Sequence, residues 1–321
     1  MREVRKTNCH FCGYLCAFFA TVEDGRVVDL EPDSSRYPYD PKVLAGCRRW
    51  KMNLDVLDGD DRVNYPLRRK GARGANNWER VSWDDALDDI AGRLAKLREE
   101  YGSETLASMI GGPHASFWPL HRFMNMFGSP NNMGIGQICW NPRIWMDTLT
   151  FGWTIEADIN DETECVFIWG TNPAESDNSL WWQSIRRLGK SDTPLVVIDP
   201  RYTKTASCAD LWIAPKTGTD CALALGFANV IIAEDLYDHD FVDNWCDGFD
   251  ELAASVADCS PEWAEEITGV AAAQIEQISE LMGTVKPMAI FCGNGIGDQQ
   301  NDGHWAQACI DLIEAITGNI A

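Results

Sequence analysis

Short apolar runs alternate with polar loops and longer helical stretches in the second half of the chain. Three of the runs have the uninterrupted apolar character of parallel strands that are buried on both faces. They are Cys165–Trp169, Leu195–Ile198 and Met288–Phe291. Each run ends in a polar loop, and open α/β sheets bind their ligands beyond the carboxyl ends of the strands. The pattern predicts an α/β fold with a mainly parallel sheet and a ligand site at one edge.

The loops that follow these strands are the first candidates for ligand binding. They are Gly170–Ser176, Asp199–Thr203 and Gly293–Gly297. Three such loops at one edge favour a large ligand that carries phosphate groups. The last loop has the pattern G-x-G-x-G, which is not the dinucleotide fingerprint, so a simple NAD site is rejected.

A further polar segment, Lys216–Asp220, precedes an apolar helical stretch from Cys221 to Ile232. Either Thr219 or Asp220 is expected as the N-cap of this helix. A carboxylate in a capping position can also accept a hydrogen bond from the edge of a nucleotide base. The segment therefore has both a structural and a functional interpretation.

The first half of the chain contains two predicted helices and one hairpin. Helical spacing of apolar residues runs from Ser82 to Tyr101, with Ser82 as the expected N-cap, and a second helix is expected over Phe117–Phe127. Before them, Phe18–Val22 and Arg26–Leu30 alternate around a turn, which predicts a β-hairpin.

The charge balance excludes several kinds of partner. The 321 residues include 27 basic and 49 acidic side chains, which gives a formal net charge of −22. Such a surface repels phosphate backbones and anionic lipids, so we expect no nucleic-acid partner and no membrane binding. No apolar run approaches the roughly 20 residues that span a bilayer. With no apolar leader segment before Cys9, we expect a cytoplasmic location.

Four of the twelve cysteines form a metal-binding pattern near the N-terminus. Cys9, Cys12 and Cys16 have the spacing C-x2-C-x3-C, and Cys47 follows after the predicted hairpin. Three thiolates in one loop suit three corners of an iron–sulfur cube, and the fourth ligand returns from elsewhere. The alternative is a structural zinc, which the spacing disfavours because zinc sites usually have two C-x2-C pairs. Arg48 and Arg49 follow the fourth cysteine as either a solvated pair or cations beside an anionic cofactor.

Together these segments resemble the dimethyl-sulfoxide-reductase family of molybdopterin enzymes, which carry two pterin guanine dinucleotides. The resemblance covers essentially the whole chain and depends on the joint order of the motifs. Besides the four cysteines, these are Asp61–Leu67, Trp78–Leu87, Gly170–Pro173, Asp199–Arg201 and Gly218–Asp220. It implies a β-rich [4Fe–4S] domain at residues 1–64 and the first segment of an α/β domain at 65–136. Residues 137–321 would form a Rossmann-like α/β domain that binds the pterin dinucleotides.

The resemblance also implies roles for single residues. Cys9, Cys12, Cys16 and Cys47 would bind the cluster. The expected pterin-dinucleotide contacts are Gly170, Asn172, Glu175, Asp199, Arg201, Thr203, Gly218, Thr219, Asp220, Gly293 and Asn294. In this set the carboxylates would contact guanine and Arg201 would meet negative charge. Arg49 stands where the family usually has a lysine between cluster and pterin. It keeps the charge but cannot exchange a proton, which suits an electron relay.

The resemblance assigns the remaining metal ligand to Cys139. Family members place Cys, selenocysteine, Ser or Asp in a loop after a Gly-rich turn, and here that loop is Gly134–Arg143. A soft thiolate suits Mo or W, whereas a buried cysteine that only fills space is the structural alternative. His114 follows an expected strand and is a candidate acid or base that faces the metal cavity.

Within the family, the chain looks most like the branch with tungsten acetylene hydratase and enzymes that hydroxylate or dehydroxylate aromatic rings. The hydratase has an Asp directly after its second cluster cysteine, whereas this chain has Gly13. We therefore expect two-electron oxidation or reduction of a small-molecule substrate. The alternatives are a redox-neutral hydratase with another acid, and a non-catalytic electron-transfer subunit, which Cys139 disfavours.

Family enzymes are longer and end in a β-barrel domain that covers the pterins. We therefore expect a missing C-terminal half or a complementing subunit, together with an iron–sulfur electron-transfer partner. The chain alone is predicted to hold the cluster but to bind pterin weakly.

Overall fold

The computed structural model of the protein describes residues 1–11, 15–36, 47, 49–111, 117–134, 139–176, 180–188 and 192–320. Cys12, Gly13 and His114 lie outside these ranges. The chain divides into two compact units, which are considered separately below. The first comprises Met1–Pro41 and Arg48–Gln137, and the second comprises Lys42–Cys47 and Ile138–Ala321. The three-domain division drawn from the sequence stays a prediction.

The first unit begins with a three-stranded antiparallel sheet in the order β1-β2-β3. Its strands are β1 (Arg2–Asn8), β2 (Ala17–Glu23) and β3 (Arg26–Pro32). Gly25 has a φ of +82° in the turn between β2 and β3, a conformation that glycine adopts without steric strain. The predicted hairpin is confirmed.

Helices and short strands complete the first unit. They are α1 (Asn53–Asp58), β4 (Leu67–Arg69), β5 (Trp78–Arg80), α2 (Trp83–Tyr101), β6 (Ser108–Ile110), α3 (Phe117–Phe127) and β7 (Asn132–Gly134). The Ser82 hydroxyl caps α2 by accepting the backbone N–H of Asp85 at 3.1 Å. Both predicted helices are confirmed, but the apolar stripe of α2 is not buried, since Leu87 and Ile90 are 57% and 54% exposed.

A four-stranded parallel sheet forms the centre of the second unit, in the order β10-β9-β8-β11. The strands are β8 (Cys165–Trp169), β9 (Leu195–Ile198), β10 (Leu211–Ile213) and β11 (Met288–Cys292). Every residue of β8 and β9 is buried, as their uninterrupted apolar sequences predict. The predicted fold class, mixed α/β with a parallel sheet, is confirmed.

Helices cover both faces of this sheet. They are α4 (Asn141–Phe151), α5 (Pro173–Ser176), α6 (Leu180–Leu188), α7 (Asp220–Ala233), α8 (His239–Trp245), α9 (Phe249–Val256), α10 (Pro261–Thr268), α11 (Ala272–Thr284), α12 (Asn294–Asp298) and α13 (Gly303–Ile316). Alternate strand residues point to opposite faces, so Phe167 packs in the core with α7, α11 and α13. Its neighbour Ile168 packs in a second core with α6. Within the described ranges, no helix has the length and apolar character needed to cross a bilayer.

Candidate cofactor site

A cavity of about 280 Å³ opens at the carboxyl edge of the sheet in the second unit. The loops after β8 and β9, the segment before α7 and the helix α12 enclose it. Its lining residues are Gly170, Asp199, Pro200, Arg201, Pro215, Lys216, Thr217, Gly218, Asp220, Gly295, Ile296, Gln299 and Gln300. Five residues predicted to contact the cofactor therefore lie around one cavity, at the edge where the strand pattern placed a ligand.

Two loops of this edge lie directly against each other. The Gly293 N–H donates to the carbonyl of Trp169, the last residue of β8, at 2.8 Å. A Cβ atom on Gly293 would lie only 2.0 Å from the carbonyl oxygen of Gly170. Only glycine allows this approach, so the structure assigns Gly293 a role in packing the loops.

Asp220 presents a fixed carboxylate to the cavity. Its Oδ1 accepts the indole N–H of Trp169 at 2.7 Å, and its Oδ2 accepts Nε2 of Gln300 at 3.1 Å. Trp169 is fully buried, so its N–H needs this acceptor. A carboxylate accepts about four hydrogen bonds, which leaves capacity for a bound donor. Sequence analysis missed both partners because they lie far from Asp220 along the chain.

Asp199 is nearly buried at the end of β9, with 6% of its surface exposed. Its Oδ1 accepts the backbone N–H of Arg201 at 2.8 Å, which turns the loop sharply after the strand. Burial raises the pKa of Asp199 above its ordinary value, and the negative charge of Asp220 raises it further. The backbone hydrogen bond from Arg201 and the positive charge of its side chain lower the pKa in part. The Arg201 side chain is exposed at the cavity mouth.

Asn172 and Glu175 hold the loop after β8 in place. Asn172 Nδ2 donates to Glu175 Oε2 at 2.7 Å, and its Oδ1 accepts the Thr205 hydroxyl at 2.8 Å. The same hydroxyl accepts the backbone N–H of Ala174 at 3.1 Å. Neither predicted residue lines the cavity of about 280 Å³, and the contacts tie two loops of the same edge together. Their predicted role in binding stays a prediction.

Two predicted threonines have local partners as well. Thr203 Oγ1 accepts the backbone N–H of Ala206 at 3.1 Å, so the side chain stabilises the turn after β9. Thr219 is the N-cap residue of α7. Of the two N-cap candidates from the sequence, Thr219 and Asp220, the structure has the first. Its hydroxyl donates to the Lys216 carbonyl at 2.6 Å and does not cap the helix.

Cys139 and Asn294 meet although they lie 155 residues apart. Asn294 Nδ2 donates to Cys139 Sγ at 3.6 Å. Asn294 begins α12 directly after Gly293, while Cys139 precedes α4 and is half-buried. The structure thus brings the predicted metal ligand to a predicted cofactor residue, beside the loops that enclose the cavity.

The predicted cluster cysteines are buried where they are described. Cys9, Cys16 and Cys47 are 8%, 7% and 6% exposed, and the Cys9 N–H donates to the Cys16 carbonyl at 2.8 Å. In the first unit, Asn53 Nδ2 donates to Cys9 Sγ at 3.5 Å and to the Trp50 carbonyl at 2.9 Å. Among the described residues no three His, Cys, Asp or Glu side chains converge on one ion, and Cys12 is not among them. Buried thiols with an N–H donor fit a cluster in chemical type.

Arg49 is half-buried and stands just before a short 3₁₀ helix, Trp50–Met52. Its carbonyl accepts the Met52 N–H at 3.1 Å. The predicted relay role of Arg49 stays a prediction.

The parallel sheet has its cavity at the carboxyl edge, which is where open α/β proteins bind their ligands. The molybdopterin oxidoreductase family model matches residues 62–321, and the chain belongs to this family. It is 35% identical to acetylene hydratase of Syntrophotalea acetylenica over 99% of this chain and 44% of that protein. It is 32% identical to the dimethyl sulfoxide reductase DmsA of Haemophilus influenzae over 96% of this chain and 43% of that protein.

A solved structure gives the same result. The acetylene hydratase from Pelobacter acetylenicus matches with a TM-score of 0.82 and 32% identity, over 99% of this chain and 44% of that chain. The predicted resemblance is therefore confirmed. The chain spans less than half the length of these relatives.

Proposed function

We propose that this chain is the N-terminal portion of a molybdenum- or tungsten-pterin oxidoreductase that performs two-electron chemistry at a metal held by Cys139. The observation that carries the proposal is the contact of 3.6 Å between Asn294 Nδ2 and Cys139 Sγ. A soft thiolate that accepts an N–H donor suits a ligand of Mo or W. Membership of the molybdopterin oxidoreductase family supports the same cofactor class.

The cavity residues supply the groups that a pterin guanine dinucleotide needs. When bound, the pterin-held metal supplies two-electron chemistry to a substrate. Asp220 and Asp199 offer acceptors to the N–H groups of guanine. Arg201 brings a permanent positive charge to the phosphates. Gly218 leaves open space where a side chain would begin, so a ligand can lie against its backbone.

In the proposal, an iron–sulfur cluster carries single electrons to or from this site. Cys9, Cys12, Cys16 and Cys47 hold a [4Fe–4S] cluster, and Arg49 provides a fixed positive charge on the electron path. The hydrogen bond from Asn53 to Cys9 Sγ supports a thiolate at that position. His114 is proposed as an acid or base for the substrate.

The relatives' greater length supports a proposal about partners. A C-terminal half or complementing subunit completes the pterin enclosure, an iron–sulfur protein exchanges electrons with the cluster, and a small molecule is the substrate. The chain by itself is expected to hold iron and to lose pterin. Stoichiometric pterin and metal on the isolated chain after gel filtration would contradict this.

A redox-neutral hydratase is the second candidate, and the match to acetylene hydratase favours it. Against it stands Gly13, because the resemblance to the family implies that a hydratase has an Asp there to activate water. Hydration transfers no electrons, so acetylene would be consumed without an electron donor or acceptor. A non-catalytic electron-transfer subunit would need no metal ligand at Cys139.

The test is an anaerobic assay of the full enzyme with the complementing half present. Reduced viologen serves as electron donor to sulfoxides, N-oxides and hydroxylated aromatics, and oxidised dye serves as acceptor in the reverse direction. We expect electron transfer to at least one class and its loss in Cys139→Ala. Acetylene hydration with no electron transfer would favour the hydratase, and inactivity in both assays would favour the electron-transfer subunit.

A further inference from the structure

Three buried carboxyl groups lie between α4 and α13 in the second unit. Asp311 and Glu314 are three residues apart, on one face of α13 with Gln307, and Asp147 faces them from α4. Asp147 and Asp311 have no exposed surface, and Glu314 keeps 9%. We call Asp147, Asp311 and Glu314 the buried acid cluster.

One cation faces the buried acid cluster from α4. Arg143 Nε lies 3.6 Å from Asp147 Oδ2, one helical turn away, and its Nη2 donates to the Ile155 carbonyl at 2.8 Å. The same nitrogen lies 3.8 Å from Glu156 Oε2, a carboxylate that is 46% exposed. Because one buried guanidinium faces three buried carboxyl groups, full ionisation would leave uncompensated charge in a low-dielectric interior.

Among the described groups, three carboxylate oxygens of the cluster lack a well-formed hydrogen bond. Gln307 Nε2 donates to Asp311 Oδ1 at 2.7 Å. Asp311 Oδ2 and both carboxylate oxygens of Asp147 accept no well-formed hydrogen bond from the described N–H and O–H groups. The Asp147 and Asp311 carboxyl groups lie within hydrogen-bonding reach of each other. A single proton held between them satisfies an oxygen on each side.

Burial acts on all three acids in the same direction. It raises the pKa of Asp311 to about 8, an effect that the Gln307 hydrogen bond opposes and the charge of Asp147 reinforces. Burial raises the pKa of Glu314 well above its ordinary range and that of Asp147 above its ordinary value, with Arg143 opposing both shifts.

The buried acid cluster lies next to both segments that form the Cys139 contact. The Arg143 guanidinium is 5.9 Å from the ring centre of Trp140, the residue after Cys139. The buried thiol of Cys292, at the end of β11, faces the charges of Arg143 and of all three acids. Two residues later stands Asn294, which donates to Cys139. The cluster is therefore linked to the Cys139 contact on two sides, through Arg143 and Trp140 and through Cys292 and Asn294.

A second cavity connects the cluster to solvent. It has a volume of about 310 Å³ at the amino edge of the sheet. Glu314 lines it together with Thr163, Met288 and four charged residues, Glu156, Asp158, Glu162 and Lys286. This volume admits water molecules, and its polar walls offer them hydrogen bonds. Glu314 thus borders this cavity and also faces the charge of Asp311.

We propose that Asp147, Asp311 and Glu314 form an internal proton store, which binds one proton from solvent when an electron reaches the Cys139 site. The idea rests on the proposed redox function. A one-electron donor such as reduced viologen supplies the electron, and water in the second cavity supplies the proton. One O–H bond breaks in water and one forms on a carboxylate, and the hydroxide left behind returns to bulk solvent through the cavity. The region gains one electron and one proton, so its net charge is unchanged. Reoxidation returns both the electron and the proton.

The test is a redox titration of the metal in the loaded holoenzyme, followed by EPR between pH 6 and 10. The pKa of Asp311 is about 8, so below about pH 8 the oxidised enzyme already holds this proton and the potential does not depend on pH. Above about pH 8, uptake of one proton per electron makes reduction tenfold harder per pH unit, which is about 59 mV. We expect this slope in the wild type and at most half of it in Asp311→Asn and Glu314→Gln. Asp302→Asn removes an exposed carboxylate just before α13 and is expected to keep the slope. Equal slopes in all four proteins would overturn the store.

A second readout covers variants that fold poorly. Infrared spectra of reduced minus oxidised wild-type enzyme are expected to show a carboxyl C=O band that shifts in D₂O and is absent in Asp311→Asn. If the wild-type enzyme binds Mo or W but has a pH-independent potential and shows no such band, the proton store is overturned and the proposed function is not. A wild type that binds neither metal overturns the proposed function, and the store falls with it.

Discussion

The side-chain amide of Asn294 donates to the sulfur of Cys139 at 3.6 Å, across 155 residues of sequence. The contact joins the start of α12 to the segment before α4. The approach of Gly293 to the loop after β8 fixes the chain just before Asn294. A strand-end loop is thereby placed where it can orient a thiolate.

Replacing Asn294 by Leu is expected to weaken metal binding at the proposed Cys139 site. The substitution removes the N–H donor while keeping a side chain of similar size. Groups that orient a metal ligand typically change metal affinity or activity by about 10–100-fold, and we expect a loss in this range. Metal content per chain and dye-linked kcat/KM measure it. Asn301→Leu, at an exposed position nearby, should change neither, and equal effects of the two substitutions would contradict the role of Asn294.

Gly293→Ala should destabilise the second unit. Its Cβ would meet the Gly170 carbonyl oxygen at 2.0 Å, and backbone must move to relieve the clash. We expect a loss of about 3 kcal/mol in the free energy of unfolding, measured in urea. Gly295→Ala is the matched control, because its nearest neighbour would be 3.8 Å away. Equal stabilities of the two variants would show that the loops can separate freely.

The strands and helices were predictable because their signals are local. Cys165–Trp169 and Leu195–Ile198 are continuous apolar runs, and Ser82 caps its helix through the next turn of the chain. The two hydrogen bonds that hold the Asp220 carboxylate were not predictable, because their donors, Trp169 and Gln300, are 51 and 80 residues away along the chain. No local pattern reports which distant side chains converge.

The buried acid cluster illustrates a second limit of sequence analysis. Asp311 and Glu314 look like ordinary surface charges on a helix, and only the packing of α4 on α13 removes them from water. Conversely, the apolar stripe of α2 predicts burial, yet Leu87 and Ile90 are exposed in this chain. Asn172 and Glu175 were identified by family motif, and that motif does not reveal their bonds to the loop.

Asn53→Leu should lower the reduction potential of the proposed [4Fe–4S] cluster. The amide of Asn53 donates to Cys9 Sγ, and this bond stabilises the more negative, reduced state. If the bond is stronger in that state by about 1 kcal/mol, its loss lowers the potential by roughly 40 mV. EPR-monitored titration of the iron signal measures the shift. Asn64→Leu, at an exposed site, should leave the potential unchanged. An unchanged potential in Asn53→Leu would show that the hydrogen bond to Cys9 Sγ does not tune the cluster.

The stability of the chain should depend on pH through Asp311. Its pKa is about 8 when folded and about 3.9 in an unfolded chain, so the native state binds more protons between these values. The free energy of unfolding therefore falls as pH rises, by at most about 1.4 kcal/mol per unit. This stabilisation is complete below about pH 4 and lost as pH passes about 8.

Urea unfolding of wild type and Asp311→Asn between pH 5 and 8.5 measures this dependence. We expect the variant to gain stability relative to the wild type as pH rises, because it has no buried carboxyl group to ionise at that position. The free energy of unfolding of Asp302→Asn should change with pH in the same way as that of the wild type. A constant difference between wild type and Asp311→Asn would mean that Asp311 does not titrate in this range.

The most direct test of the central claim is metal analysis with EPR on anaerobically purified, dithionite-reduced enzyme that contains the complementing half. Wild type, Cys139→Ala and Cys208→Ala are compared, the last because Cys208 is an exposed thiol away from the cavity. The proposal predicts four irons with Mo or W in wild type and in Cys208→Ala, and retention of iron with loss of Mo or W in Cys139→Ala. Iron without Mo or W in the wild type, or zinc with no cluster signal, would contradict it.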